Sequence, residues 1–189
     1  MPEFGPDLRH RAGERSVNPP VIRQLDHDEI NQPQRIFPIT LLCPDWTDPR
    51  NVGAAFRLAD AAGVQRLVLT GSTPRPPHPK IRKTARTTER SVEYESADDA
   101  VQYVRDARER GAHILALEIT DRSESLFTYA PPVTGEIVLI AGNEAAGIPR
   151  RLLAECDASV HLPMYGRNTS MNVSVALGAA VYLLLMKLQ

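Results

Sequence analysis

An α/β fold with a mainly parallel sheet flanked by helices follows from three features of this chain. Short apolar, β-favouring runs alternate with segments of helical period, the order of elements that winds into a parallel sheet. The first strand, helix and strand fill a length that implies a parallel, right-handed crossover. With 189 residues, 42% of them hydrophobic and 24% charged, the chain suits one domain with a sizeable core.

The first 38 positions are polar and proline-rich and carry Arg9, Arg11, Arg15 and Arg23. That composition predicts an N-terminal extension over 1–38, partly disordered, with a short helix at Leu25 to Asn31 capped by Asp26 or Asp28. The folded domain is expected over 39–189. Ile39 to Cys43 reads as its first strand. Asn51 can cap the next helix, whose apolar face is Val52, Ala55, Phe56, Ala59 and Ala62, and Gly63 ends it. Leu67 to Thr70 follows as a strand.

Gly71 to Arg90 loses all period and reads as a loop stiffened by Pro74, Pro76, Pro77 and Pro79. It is also the most basic interval, with Arg75, Lys80, Arg82, Lys83, Arg86 and Arg90 against Glu89 alone. Ser91 to Glu95 predicts a short strand. Ala97 to Arg110 predicts a helix with Ala100, Val101, Val104 and Ala107 inward. His113 to Glu118 and Ile137 to Ala141 are further strands, and the loop between them should pack Leu126, Phe127 and Tyr129 onto the sheet. Pro149 to Glu155 reads as a short helix with proline in its first turn, and Ser159 to Leu162 as a strand-like run. Ser170 to Leu188 is the closing helix, apolar almost all round, which calls for cover on more than one side and hence for a homodimer.

Several function classes fall away. Gly142 and Gly147 let backbone approach a ligand closely, but Ile148-Pro149 stands where a phosphate loop needs Gly-Lys-Ser/Thr. There is no G-x-G-x-x-G dinucleotide fingerprint. Cys43 and Cys156 lack metal-ligand spacing and read as buried, reduced thiols. The opening residues lack an apolar signal region, so the sequons at Asn168 and Asn172 carry no glycosylation meaning, and a cytoplasmic location is expected. The longest apolar run, Val175 to Met186, is too short to cross a bilayer. A net charge of −1 leaves nucleic-acid affinity to local basic patches.

Three segments in order carry a family resemblance: Asn51-Val52-Gly53 with Arg57; Gly142-Asn143-Glu144 with Gly147; and Leu162-Pro163-Met164 with Ser170-Met171-Asn172-Val173-Ser174. Together they resemble the motifs of the SpoU (TrmH-like) RNA ribose methyltransferases of the SPOUT superfamily, over roughly Ile39 to Leu188. Thr73-Pro74 through Pro77-His78, with Lys83-Thr84-Ala85, is similar to a group of short SpoU-like proteins. The resemblance implies a deep trefoil knot in the C-terminal third, S-adenosyl-L-methionine in its loops, and a homodimer beside it. It also implies methylation of a ribose 2′-hydroxyl in structured RNA, either tRNA or rRNA. The lack of a large recognition domain leans towards tRNA.

Such chemistry needs an aimed hydroxyl, stabilised oxygen charge and a bent cofactor, and calls for no metal. The resemblance assigns hydroxyl activation to Arg57. A guanidinium is a poor proton acceptor, so hydrogen bonding and charge stabilisation suit it better; the bland reading is an ion pair with Asp60. Asn51, Glu144, Ser170 and Asn172 would complete the catalytic set, Glu144 holding Arg57 or a partner's arginine and Ser170 doubling as a helix cap. Leu117, Glu118, Gly142, Asn143, Gly147, Leu162, Met164, Ser170 and Met171 would cradle the cofactor. Arg57, Arg75, Lys80, Arg82, Lys83 and Arg86 would meet RNA, with the N-terminal arm as a second candidate contact. Ala145 and Ala146 depart from the residues relatives often carry. Two other readings stand beside this one: an RNA-binding SPOUT protein without turnover, and an RNA base methyltransferase.

Overall fold

The computed structural model describes residues 22–31 and 33–189; Arg9, Arg11 and Arg15 lie outside them. Gln34–Gln189 forms one compact unit. Before it, the expected short helix is a single 3-10 turn at His27–Glu29, with Glu29 accepting from the Asp26 N–H and pairing with Arg23.

The compact unit is a seven-stranded sheet. Its strands are β1 (Phe37–Pro44), β2 (Val64–Thr70), β3 (Tyr94–Ala97), β4 (His113–Leu117), β5 (Glu124–Ser125), β6 (Ile137–Ala141) and β7 (Ala158–His161). They lie in the order β3-β2-β1-β6-β4-β7-β5, and every neighbouring pair is parallel. The fold class thus holds, and β6 has the bounds read from sequence.

Side-chain alternation sends Ile39, Leu41, Leu67, Leu69, Leu115 and Leu139 to one face and Leu42, Val68, Ile114, Val138 and Ile140 to the other. Helices α1 (Pro49–Ala62), α2 (Pro79–Ala85) and α5 (Val173–Lys187) cover the first face. The second is covered by α3 (Ala100–Glu109) and α4 (Arg150–Leu153). Phe56 of α1 is fully buried, and burying such a side chain contributes about 1.5–3 kcal/mol. Trp46 is also fully buried and satisfies its indole N–H on the Ala141 carbonyl, 2.8 Å away.

Six expectations need correction. Asp48, not Asn51, caps α1, accepting from the Arg50 N–H; Pro49 suits the first helical position and leaves Asn51 inside the first turn. Residues 71–90 are not all loop, because Pro79 likewise starts α2, whose Ile81 and Ala85 are buried. The strand expected from Ser91 begins only at Tyr94 and displaces the start of α3 to Ala100, where Asp99 caps it. Tyr103, rather than Ala100 or Val101, joins Val104 and Ala107 as a buried position. Leu126 and Tyr129 pack inward, but Phe127 stays 53% exposed. The closing helix starts at Val173, capped by Asn172 rather than Ser170.

Gly53 shows why the first motif needs a glycine. A Cβ there would lie 1.9 Å from Thr84 Oγ1 and 2.6 Å from the Ile81 carbonyl, so its absence lets α2 pack directly on α1. Arg57, one turn on, projects from that same side of α1.

Candidate active site

The C-terminal ends of β4, β6 and β7 open into a cleft of about 380 Å³, within the range of small-ligand sites. Three loops close it. The first, after β6, folds back so that the Asn143 and Gly147 backbones exchange hydrogen bonds of 3.1 and 2.9 Å. Gly142 permits this: a Cβ there would stand 2.4 Å from the Gly147 carbonyl carbon. Gly147 takes φ +66°, the left-handed region that suits glycine.

Asn143 holds that loop in shape. Its Oδ1 accepts from the Ala145 and Ala146 N–H groups at 2.8 and 2.9 Å, and its amide donates to the Asp45 carbonyl. The two alanines therefore contribute main-chain groups, which accounts for the tolerance of alanine there. Glu118, at the end of β4, accepts from the Ile119 N–H at 3.0 Å and the Ile148 N–H at 3.2 Å. Leu162, Met164 and Met171 add apolar wall from the other loops.

Glu144 joins the first two motifs. Its carboxylate accepts four hydrogen bonds: from the Thr47 N–H (3.0 Å), the Thr47 hydroxyl (3.2 Å), the Asp48 N–H (3.3 Å) and the Asn51 amide (2.8 Å). Burial would raise its pKa, but the bonds from Asn51, Thr47 and Asp48 outweigh it and hold the carboxyl below the usual range. Asn51, 7% exposed, accepts in turn from the Asn172 amide at 3.2 Å. Asn172 Oδ1 caps α5 through the Ser174 and Val175 N–H groups at 2.9 and 3.3 Å. A continuous chain of Glu144, Asn51 and Asn172 therefore ties together segments far apart in sequence.

The structure brings Leu117, Glu118, Gly142, Asn143, Glu144, Gly147, Leu162, Met164, Ser170, Met171 and Asn172 to the lining of this one cleft. Asn51 reaches it only through the chain just described. Arg57 does not line it: the side chain is exposed on the α2 side of α1. The alternative ion pair with Asp60 is not formed, and Glu144 holds the loop before α1 rather than Arg57. Lys80, Arg82, Lys83 and Arg86 are exposed on α2 or its C-cap. Arg75 donates to the Gly71 carbonyl. Reading the sequence missed His161, which lines the cleft while its Nδ1 meets the Ser123 hydroxyl at 3.0 Å. No spacing signal marks it.

The SpoU rRNA Methylase family matches residues 38–182. The chain belongs to the SpoU family. A SpoU relative, the 23S rRNA (guanosine-2'-O-)-methyltransferase RlmB of Pseudomonas putida, is 29% identical over 159 residues. That alignment takes in 84% of this chain, which spans only 63% of the relative's length. The AdoMet-bound rRNA methyltransferase of Sinorhizobium meliloti superposes with a TM-score of 0.75 at 25% identity, over 82% of this chain and 59% of that one. The A. aeolicus TrmH/SpoU tRNA modifying enzyme gives 0.72 at 25% identity, over 82% and 77%.

Proposed function

We propose that this SpoU chain is an S-adenosyl-L-methionine-dependent enzyme that methylates the 2′-hydroxyl of a ribose in structured RNA. The observation that carries the reading is the chain of Glu144, Asn51 and Asn172, which joins the three motif segments at one cleft. The cleft suits the cofactor by its donor set: main-chain groups at Gly142 to Gly147 and at Leu162, Glu118 for ribose hydroxyls, and apolar Leu162, Met164 and Met171 beside an adenine. When bound, the cofactor supplies an electrophilic methyl carbon on a sulfonium.

The protein's own part is positioning and charge. Glu144 and Asn51 fix the loop before α1, and Asn172 fixes the start of α5, so both edges of the cleft are preorganised. Ser170 is exposed at the mouth, free of the capping duty that Asn172 performs. Arg57 stabilises the developing alkoxide through its guanidinium.

Arg57 projects away from the cleft of its own chain, which supports a homodimer in which each site draws on two copies. The surface for pairing is the stripe Val175, Ala179, Tyr182 and Met186 on α5, exposed at helical spacing. The reading includes a trefoil knot in the C-terminal third, supported by family membership, a domain from position 39 onward, and action in the cytoplasm. No helix among the described residues is long and apolar enough to cross a membrane. Either tRNA or rRNA serves as substrate, docking on the basic side of α1 and α2.

Incubation of the protein with tritiated cofactor and RNA from a strain lacking the gene tests this. Label should appear as 2′-O-methylated nucleoside in one tRNA or rRNA species. Label on a base nitrogen, or RNA binding without transfer, would replace the reading with one of the two alternatives.

A further inference from the structure

One polar side chain of the cleft proposed for the cofactor is bonded on one edge alone. His161, the last residue of β7, lines that cleft, and its Nδ1 lies 3.0 Å from the Ser123 hydroxyl. The same hydroxyl lies 3.0 Å from the Thr120 carbonyl and 3.1 Å from the Thr120 N–H. A carbonyl can only accept, so the single hydroxyl proton goes to it, and the two lone pairs of Ser123 Oγ receive N–H donors. One is the Thr120 N–H; the other is Nδ1–H of His161. This assignment satisfies all three contacts at once. With its proton on Nδ1, the neutral imidazole presents Nε2 as a bare acceptor.

Nε2 has no hydrogen-bond partner among the described residues, yet it is open to water rather than sealed in. Glu118, Asn143, Glu144 and Asn172, by contrast, are bonded within the protein. Position says what His161 meets. Leu117 pairs with Val160, and the Glu118 N–H donates to the Val160 carbonyl at 2.9 Å, so Glu118 stands level with His161 on the next strand, about 4.8 Å away. A nucleoside whose ribose rests on Glu118 therefore extends its base over the end of β7. Ile119 and Leu162, which follow Glu118 and His161 in sequence, line the cleft as well and offer apolar surface to the faces of that base.

We infer that His161 Nε2 accepts a hydrogen bond from the exocyclic amino group of the cofactor's adenine, which makes His161 a residue that selects adenosine; the inference rests on the cofactor reading above. The amino group is a neutral donor in the plane of the base, and a neutral acceptor between apolar surfaces is its match. Ribose hydroxyls are served by the Glu118 carboxylate. A hypoxanthine ring carries a carbonyl where adenine carries the amino group, and it would turn a lone pair towards Nε2.

Calorimetric titration of the full chain with S-adenosyl-L-homocysteine and with S-inosyl-L-homocysteine tests this. The adenosyl compound should bind about tenfold tighter, as one hydrogen bond gives way to an unpaired acceptor. His161→Leu should weaken the adenosyl compound by about that factor and bind the two alike. His161→Gln, whose amide oxygen also accepts, should restore part of the preference. NMR of the unaltered protein carrying nitrogen-labelled histidine gives a readout that needs no variant to fold. In mildly alkaline buffer, where imidazole is neutral, one unprotonated Nε2 signal should move upfield when the adenosyl compound is added. A preference that survives His161→Leu would overturn the inference, as would histidine signals that all stay fixed while the adenosyl compound binds. Either result sinks the role of His161 alone. Failure of the unaltered protein to bind either compound sinks the cofactor reading with it.

Discussion

Around the cleft proposed for the cofactor the chain's polar side chains are already engaged with one another. Glu144, Asn51, Asn143, Asn172 and Glu118 each hold a hydrogen bond to another part of the protein. Across α1 the pattern reverses. Lys80, Arg82, Lys83 and Arg86 have no ion-pair partner among the described residues. The difference separates two tasks: a site finished in advance grips a small molecule at little ordering cost, while a surface left electrostatically open can receive a polyanion.

The sharpest way to break this division is Arg57→Ala, on the open side. Methyl transfer should fall at least about a hundredfold, as when one charge-stabilising donor is removed, while calorimetry shows cofactor affinity within about twofold. Unchanged turnover would remove Arg57 from the chemistry. Next comes reversal of Lys80, Arg82 and Lys83 to glutamate. RNA affinity should drop, and the slope of log affinity against log salt should flatten by about 0.7–0.9 for each phosphate no longer neutralised. Affinity that stays put would dock RNA elsewhere.

Two glycines test the regions against each other. Gly142→Ala forces a Cβ against the Gly147 backbone, and overpacking of this kind costs about 1–3 kcal/mol; denaturant titration should show that loss together with weaker cofactor binding and intact RNA binding. Gly53→Ala pushes α2 off α1 and should do the converse. If both variants weaken both ligands alike, the two regions are not separable.

The smallest effect is a pH dependence. Glu144 has a folded pKa below its unfolded value. Its contribution is therefore present above the unfolded carboxylate value of about 4.3 and lost as pH falls through the folded one. Glu144→Gln should cost about 1 kcal/mol at neutral pH, and the gap from the unaltered protein should close in acid. A gap that widens in acid would mean the carboxylate is not held by these donors.

Much of the sheet was legible because strands buried on both faces read as plain apolar runs; Ile137 to Ala141 is the clearest instance. The glycine loop was legible too, since Gly142 answers to a steric demand visible in sequence. The caps were not. Asp48 and Asn51, and again Asn172 and Ser170, are all competent capping residues, and for Asn51 a tertiary partner takes the capping oxygen: its Oδ1 accepts from the Asn172 amide. Helix α2 hid behind prolines, one of which starts it.

The bond between Thr47 and Glu144 spans 97 positions, and that between Asn51 and Asn172 spans 121. Pairings so remote along the chain form slowly and late. A growing polypeptide thus carries β1 and α1 before the segments that complete them emerge. During that interval the apolar edge of β1 awaits β6, which makes this the stage at which the protein most needs shelter from aggregation.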